Sequence, residues 1–160
     1  MKKGTIQPIS KEAFAPYGEY YNLQEEQNIQ KELFLKYKTK EYIVGKPLKF
    51  WNYSLQKLKK CFVVDSMERH LSSEEVQFAG SKPIILSVAD SDPWGNPKED
   101  DVASFLLNPG DAIVLKKGIW HDACHCVDGE TMYFFLSYTN GEPSETTWLS
   151  VVPDPVSVDL

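Results

Sequence analysis

All three histidines of this 160-residue chain fall within two short segments, and the first of these is rich in carboxylates. The first segment reads Glu68-Arg69-His70-Leu71-Ser72-Ser73-Glu74-Glu75. On an extended backbone alternate side chains share a face, so Glu68 and His70 point one way and Arg69 the other. Ser72-Ser73 can turn the chain and return Glu75 on the neighbouring strand, facing the same pair. The second segment runs from Gly110 to His125, with Gly110 and Gly118 as turns. On a regular strand His121 and His125 would share one face. Glu68, His70, Glu75 and His121 together offer two imidazoles and two carboxylates, an N/O donor set suited to Mn, Fe, Ni, Co or Zn. Water or a chelating substrate would fill the open positions, and Glu75, His121 or His125 could move protons. Against this stands a plainer reading, in which a His and two Glu beside a turn are solvated surface. Two such segments on strand-like sequence weigh toward a site.

The surrounding sequence must supply strands to aim these groups. Aromatic and β-branched residues are plentiful, with four Trp, eight Tyr and eight Phe, which favours pleated, half-buried surfaces. Short candidate strands fall at Phe34–Tyr42, Phe50–Tyr53, Cys61–Asp65, Val76–Phe78, Ile84–Val88, Val102–Leu107, Ala112–Leu115, His121–Val127 and Met132–Thr139. Asp92-Pro93-Trp94-Gly95, Asn108-Pro109-Gly110-Asp111 and Asp128-Gly129 punctuate them as turns. The expectation is all-β, a sandwich or barrel. Ser10 caps one short N-terminal helical turn that Pro16 and Gly18 stop. Asn22 to Glu32 reads as a polar loop or short helix, and the tail from Pro153 as an extended arm. Residues 1–160 fit a single domain with its core at about 33–152.

Composition narrows the partners. A net charge of −6 and no basic stripe argue against nucleic acid. The N-terminal Met1-Lys2-Lys3-Gly4 leads into no apolar stretch, and nothing is long enough to span a bilayer, so a cytoplasmic protein is expected. Three cysteines are too few for a disulfide framework. Cys124 and Cys126 would lie on the strand face opposite His121 and read as buried thiols.

The two segments resemble the two motifs of the cupin superfamily. Glu68, His70 and Glu75, with Gly80 near the closing glycine, keep the spacing of the first; Gly110, Gly118 and His121 keep that of the second. Glu68 stands where many cupins have histidine, Lys116 replaces the turn proline, and His125 stands where asparagine is usual. The resemblance implies a cupin-type β-barrel (double-stranded β-helix) with a short N-terminal helix and extended terminal arms. Pro8-Ile9-Ser10-Lys11-Glu12-Ala13-Phe14-Ala15-Pro16-Tyr17-Gly18, Glu68-Arg69-His70 and Trp120-His121 also resemble, in order, segments of the ureidoglycolate lyases. Glu75 falls where those lyases tend to have glutamine, and Asp122 where they tend to have a second histidine.

That likeness implies a homodimeric lyase of purine (allantoin) degradation, splitting ureidoglycolate into glyoxylate and urea. A divalent metal on Glu68, His70, Glu75 and His121 would hold the hydroxyl and carboxylate oxygens of the substrate. Lys116 could meet the substrate carboxylate, with Tyr53, Trp51 and Phe105 as pocket walls. Two other readings stay open: a metal-dependent sugar isomerase or oxygenase on the same scaffold, and a non-catalytic cupin that binds a small ligand.

Overall fold

Runs of alternating apolar and polar residues become strands because each can bury one face and leave the other to a second layer. The computed structural model describes residues 1–24, 61–128, 130–137 and 146–160, and the strand backbone of 48–55 and 138. The strand expected at Phe34–Tyr42 and most of the loop expected at Asn22 to Glu32 lie outside the described residues. Ser10 opens the helix α1 (Lys11–Phe14), its hydroxyl accepting from the Ala13 amide at 3.1 Å. The described strands are β1 (Lys2–Gly4), β2 (Ile6–Pro8), β3 (Gly18–Asn22), β4 (Leu48–Leu55), β5 (Cys61–Val64), β6 (Ser66–His70), β7 (Glu75–Ala79) and β8 (Ile84–Ala89). They continue with β9 (Ala103–Leu107), β10 (Asp111–Leu115), β11 (Trp120–His121), β12 (His125–Cys126), β13 (Thr131–Tyr138), β14 (Thr146–Ser150) and β15 (Val156–Asp159).

Three sheets form. One has the order β3-β10-β7-β13-β4, and a second β14-β6-β11-β8-β9-β2, with β12 also pairing β8. A third, β1-β15-β5, holds the C-terminal tail, which is extended as expected and built into the molecule. The larger two sheets face each other across a core that includes Leu86, Val88, Phe105, Ile113, Leu115 and Tyr133. Phe14 of α1 joins this core, edge-on to Phe105 at 5.3 Å. The small sheet covers the outside of the second sheet, packing Phe62, Val64, Val156 and Val158 against Met67 and Trp120. Each large side chain fully buried in this way is worth about 1.5–3 kcal/mol of transfer free energy. The first core thus draws on Phe14, before residue 33, and the second on Val156 and Val158, after residue 152.

The architecture is a cupin-type β-barrel. Gly110 (φ 98°) and Gly118 (φ 79°) take the left-handed backbone that sharp turns at either end of β10 require. One expected strand is not continuous. His121–Val127 is broken into β11 and β12, with residues 122–124 leaving the ladder between them. No helix among the described residues is long and apolar enough to cross a membrane.

Candidate active site

Alternation along β6 settles which of its residues face inward. Met67 lies in the outer core and Arg69 packs over the Trp120 ring at 4.4 Å, also outside, so Glu68 and His70 turn into the barrel. His121 pairs in register with both Glu68 and Val88, and Val88 belongs to the inner core. Cross-strand partners share a face, so His121 points inward beside Glu68. Glu75 reaches the same place by a different route from the one expected. It sits on β7 in the opposite sheet and faces the others across the barrel, not on a strand adjacent to β6.

The four side chains converge. His70 Nε2 lies 3.3 Å from Glu75 Oε2, and His121 Nε2 lies 3.6 Å from both Glu68 Oε1 and Glu75 Oε1. The two imidazole rings are 5.4 Å apart, centroid to centroid. Ligand atoms of Glu68, His70 and His121 all fall within 4.8 Å of one another, a group that could hold a metal ion. Each ring is anchored through its other nitrogen. His121 Nδ1 lies 3.2 Å from the Ile119 carbonyl, to which it can donate, and His70 Nδ1 lies 3.2 Å from the Thr146 hydroxyl. An Nδ1 that donates leaves Nε2 with a lone pair, and buried Nε2 atoms on both residues lack an aligned hydrogen bond. The close approaches of the carboxylates have ion-pair distance without hydrogen-bond alignment. A lone pair left bare inside a protein costs free energy, which a cation between them would recover. The donor set therefore fits a divalent metal.

The buried charges also act on one another, and without a cation the carboxylates favour a proton on the imidazole in its place. Burial pushes the Glu75 carboxyl up, but His70, His121 and the Gln77 amide together pull it below its ordinary value. Burial opposes a charge on His121, and Glu68 and Glu75 outweigh it, raising the imidazole above its ordinary value. Glu68 keeps 23% of its side chain exposed and His121 only 2%, so solvent reaches the group from the Glu68 side.

Other expected site residues fall elsewhere. His125 is not beside His121. The break after β11 sets it opposite Ile85 of the outer core, where it stacks on Phe62 at 3.9 Å and lies 2.8 Å from Asp122 Oδ2. Burial raises the Asp122 carboxyl, and His125 offsets part of this. Lys116 turns to the end of α1, where its ammonium donates to the Ala15 and Pro16 carbonyls at 2.6 and 3.2 Å. Phe105 is core packed on Phe14 and Tyr17. Tyr53 and Trp51 lie on β4, where Tyr53 pairs with Tyr133; their side chains are outside the described residues. The same break carries Cys124 inward, contrary to expectation, where its thiol donates to Gln77 Oε1 at 3.2 Å. Gln77 in turn donates to Glu75 Oε1 at 2.6 Å. Gln77 was findable by its two-residue spacing from Glu75 on a strand. No local signal marked Thr146, which arrives from a strand 76 residues away from His70.

The profile of the family described as Ureidoglycolate lyase matches residues 1–158. The chain belongs to the ureidoglycolate lyase family. A protein of Agrobacterium fabrum named "Putative ureidoglycolate lyase" is 24% identical over 161 residues, covering 100% of this chain and 97% of its own length. Among solved structures, a dTDP-6-deoxy-D-glucose-3,5-epimerase from Legionella pneumophila is 10% identical with a TM-score of 0.47, over 76% of this chain and 61% of its own. RmlC from Streptococcus suis is 13% identical with a TM-score of 0.48, over 74% of this chain and 58% of its own. The chain therefore spans about three-fifths of either structure's length. In this ureidoglycolate lyase family member the Glu-Arg-His and Trp-His segments are the ones that meet inside the barrel.

Proposed function

We propose that the chain is a metal-assisted lyase that cleaves ureidoglycolate, or a similar small hydroxy-acid adduct, to glyoxylate and urea. Family membership supports the substrate class. The observation that carries the mechanism is the pair of anchored imidazoles whose buried Nε2 atoms face Glu68 and Glu75 without an aligned partner.

Ureidoglycolate carries a hydroxyl and a urea nitrogen on one carbon. Its cleavage breaks the O–H and C–N bonds and forms C=O and N–H. Glu68, His70, His121 and one oxygen of Glu75 would hold a divalent metal, leaving the other Glu75 oxygen for the proton. When bound, the metal supplies Lewis acidity to the hydroxyl and carboxylate oxygens, making the hydroxyl more acidic. Glu75, held ionised by its neighbours, takes the hydroxyl proton. The C–N electron pair leaves with the urea nitrogen, and Glu75 returns the proton there. One carboxylate thus serves as base and then acid, a role commonly worth ~10²–10⁴-fold. The surrounding barrel keeps bulk water from the carboxylate's inner oxygen, and Glu68 borders the entrance.

The test is glyoxylate release from ureidoglycolate by the full chain, stripped with chelator and then supplied with Zn, Mn, Ni or Co. Turnover should return with at least one metal, and His70→Ala or His121→Ala should lose metal content together with turnover. Turnover unaffected by chelator and by both substitutions would remove the metal from the mechanism. No glyoxylate under any condition would remove the substrate and point to another small-molecule reaction on this barrel.

A further inference from the structure

Glu75 is the one charged member of the site that does not come from the sheet bearing Glu68, His70 and His121, so something on its own side must orient it. Two buried groups are placed to do so. Gln77 follows Glu75 by two residues on β7, shares its inward face, and is 2% exposed. Its Nε2 donates to Glu75 Oε1 at 2.6 Å, a short bond of the kind a carboxylate makes when ionised. A side-chain amide has a donor end and an acceptor end, and what meets the far end decides which faces the carboxylate. Here the far end, Oε1, receives the Cys124 thiol at 3.2 Å, and Cys124 is itself 2% exposed. Turned over, the amide would set its carbonyl against the Glu75 carboxylate and its NH₂ against a thiol, leaving two buried groups mismatched. Cys124 is there because the chain leaves the ladder between β11 and β12. The irregular stretch that takes His125 away from the site is therefore what delivers the thiol.

We infer that Gln77 and Cys124 are positioning residues, a two-step relay that locks the amide and so fixes the orientation of the Glu75 carboxylate toward His70 and His121. The inference rests on Glu75 belonging to the proposed metal site, and it adds a role for two residues that touch neither metal nor substrate. With Oε1 held by Gln77, Oε2 is turned to His70. Removing the amide frees the carboxylate to rotate; removing the thiol frees the amide to flip.

Zn²⁺ alone is the probe, its affinity for the full chain read by competition with a chromophoric chelator. Gln77→Leu should weaken binding by about 10- to 100-fold, the usual cost of losing a group that orients a metal ligand. Cys124→Ala should weaken it several-fold. Cys124→Ser keeps a donor of similar size at that position and should restore binding to within about threefold of the parent, which a purely space-filling role for Cys124 would not predict. Equal binding by parent, Gln77→Leu and Cys124→Ala would overturn the relay, as would a Cys124→Ser variant no better than Cys124→Ala. A second measurement keeps this separate from the metal assignment. In chelator-treated protein, Cys124→Ala and Glu75→Gln are combined in a double-mutant cycle on the unfolding equilibrium. Their effects should be non-multiplicative by about three- to tenfold with Gln77 present, and multiplicative in a Gln77→Leu background. If the parent binds no Zn²⁺, the metal reading of the site fails and the cycle alone decides the relay. Multiplicative effects with Gln77 in place would sink it.

Discussion

Single residues in this protein are defined by what meets their second polar atom. His121 is an inward-facing lone pair because its other nitrogen can donate to the Ile119 carbonyl, and His70 is similarly held by Thr146. His125 has a nitrogen near a carboxylate, Asp122, and a ring stacked on Phe62, which places it among the outer-core groups. Cys124 lends itself to a direct prediction. Burial, then the charges of Asp122 and Glu75, push its thiol well above the ordinary value of 9.0. A folded-state pKa raised above the unfolded one contributes stability that is complete below the unfolded value and is lost as pH climbs toward the folded one. Between pH 9 and that higher value the unfolded chain ionises its thiol while the folded chain does not, costing about 1.4 kcal/mol per pH unit. Urea melts should show the parent losing more stability than Cys124→Ser from about pH 9 upward, with the two parallel below it. Parallel curves throughout would mean that the folded thiol ionises freely.

At the scale of elements, turns and breaks place the chemistry more than strands do. Gly118 ends the β10 turn at φ 79° and precedes His121 by three residues. A Cβ added there would meet nothing within 4 Å, so any cost of Gly118→Ala is conformational and not steric crowding by neighbours. That cost should be roughly 1–2 kcal/mol, measured as a lower urea midpoint at unchanged slope. Because the Gly118 amide donates to the His70 carbonyl at 2.8 Å, the same substitution should also weaken Zn²⁺ binding. A destabilised variant with unchanged affinity would show that the turn serves the fold alone. The break between β11 and β12 was invisible to a reading that assumed a regular strand over His121–Val127. Nothing in Trp120-His121-Asp122-Ala123-Cys124-His125 is a turn residue of the Gly or Pro kind, so strand periodicity carried through where the backbone does not.

For the whole molecule, the layer order decides what can be removed. The site lies between the two larger sheets, while β15 belongs to the outer layer that covers Met67 and Trp120. Both residues sit next to site residues along the chain, Met67 before Glu68 and Trp120 before His121. Deleting residues 153–160 removes Val156 and Val158 from that core and bares the back of the sheet holding three of the four site residues. Large cuts in a core of this kind cost several kcal/mol, about 2–5 for a single large-to-Ala change. The truncated chain should melt far lower or fail to fold, followed by circular dichroism, and should lose Zn²⁺ binding with its fold. Retention of the parent's melting temperature would make the C-terminal strand an accessory.

Much of this was readable from residue order. Strand alternation put Glu68 and His70 on one face with Arg69 on the other, glycine spacing marked the turns at 110 and 118, and Ser10 announced the only α-helix among the described residues. These are local properties, set by backbone geometry over a few residues. What only the tertiary structure decided depends on contacts between distant segments. Glu75 faces its partners from the opposing sheet, Lys116 is spent on the end of α1, and His125 and Cys124 exchange the faces that a regular strand would assign them. Period-two reasoning carries no information about which sheet a strand joins or where a ladder breaks, because those choices are made by the packing of the two cores.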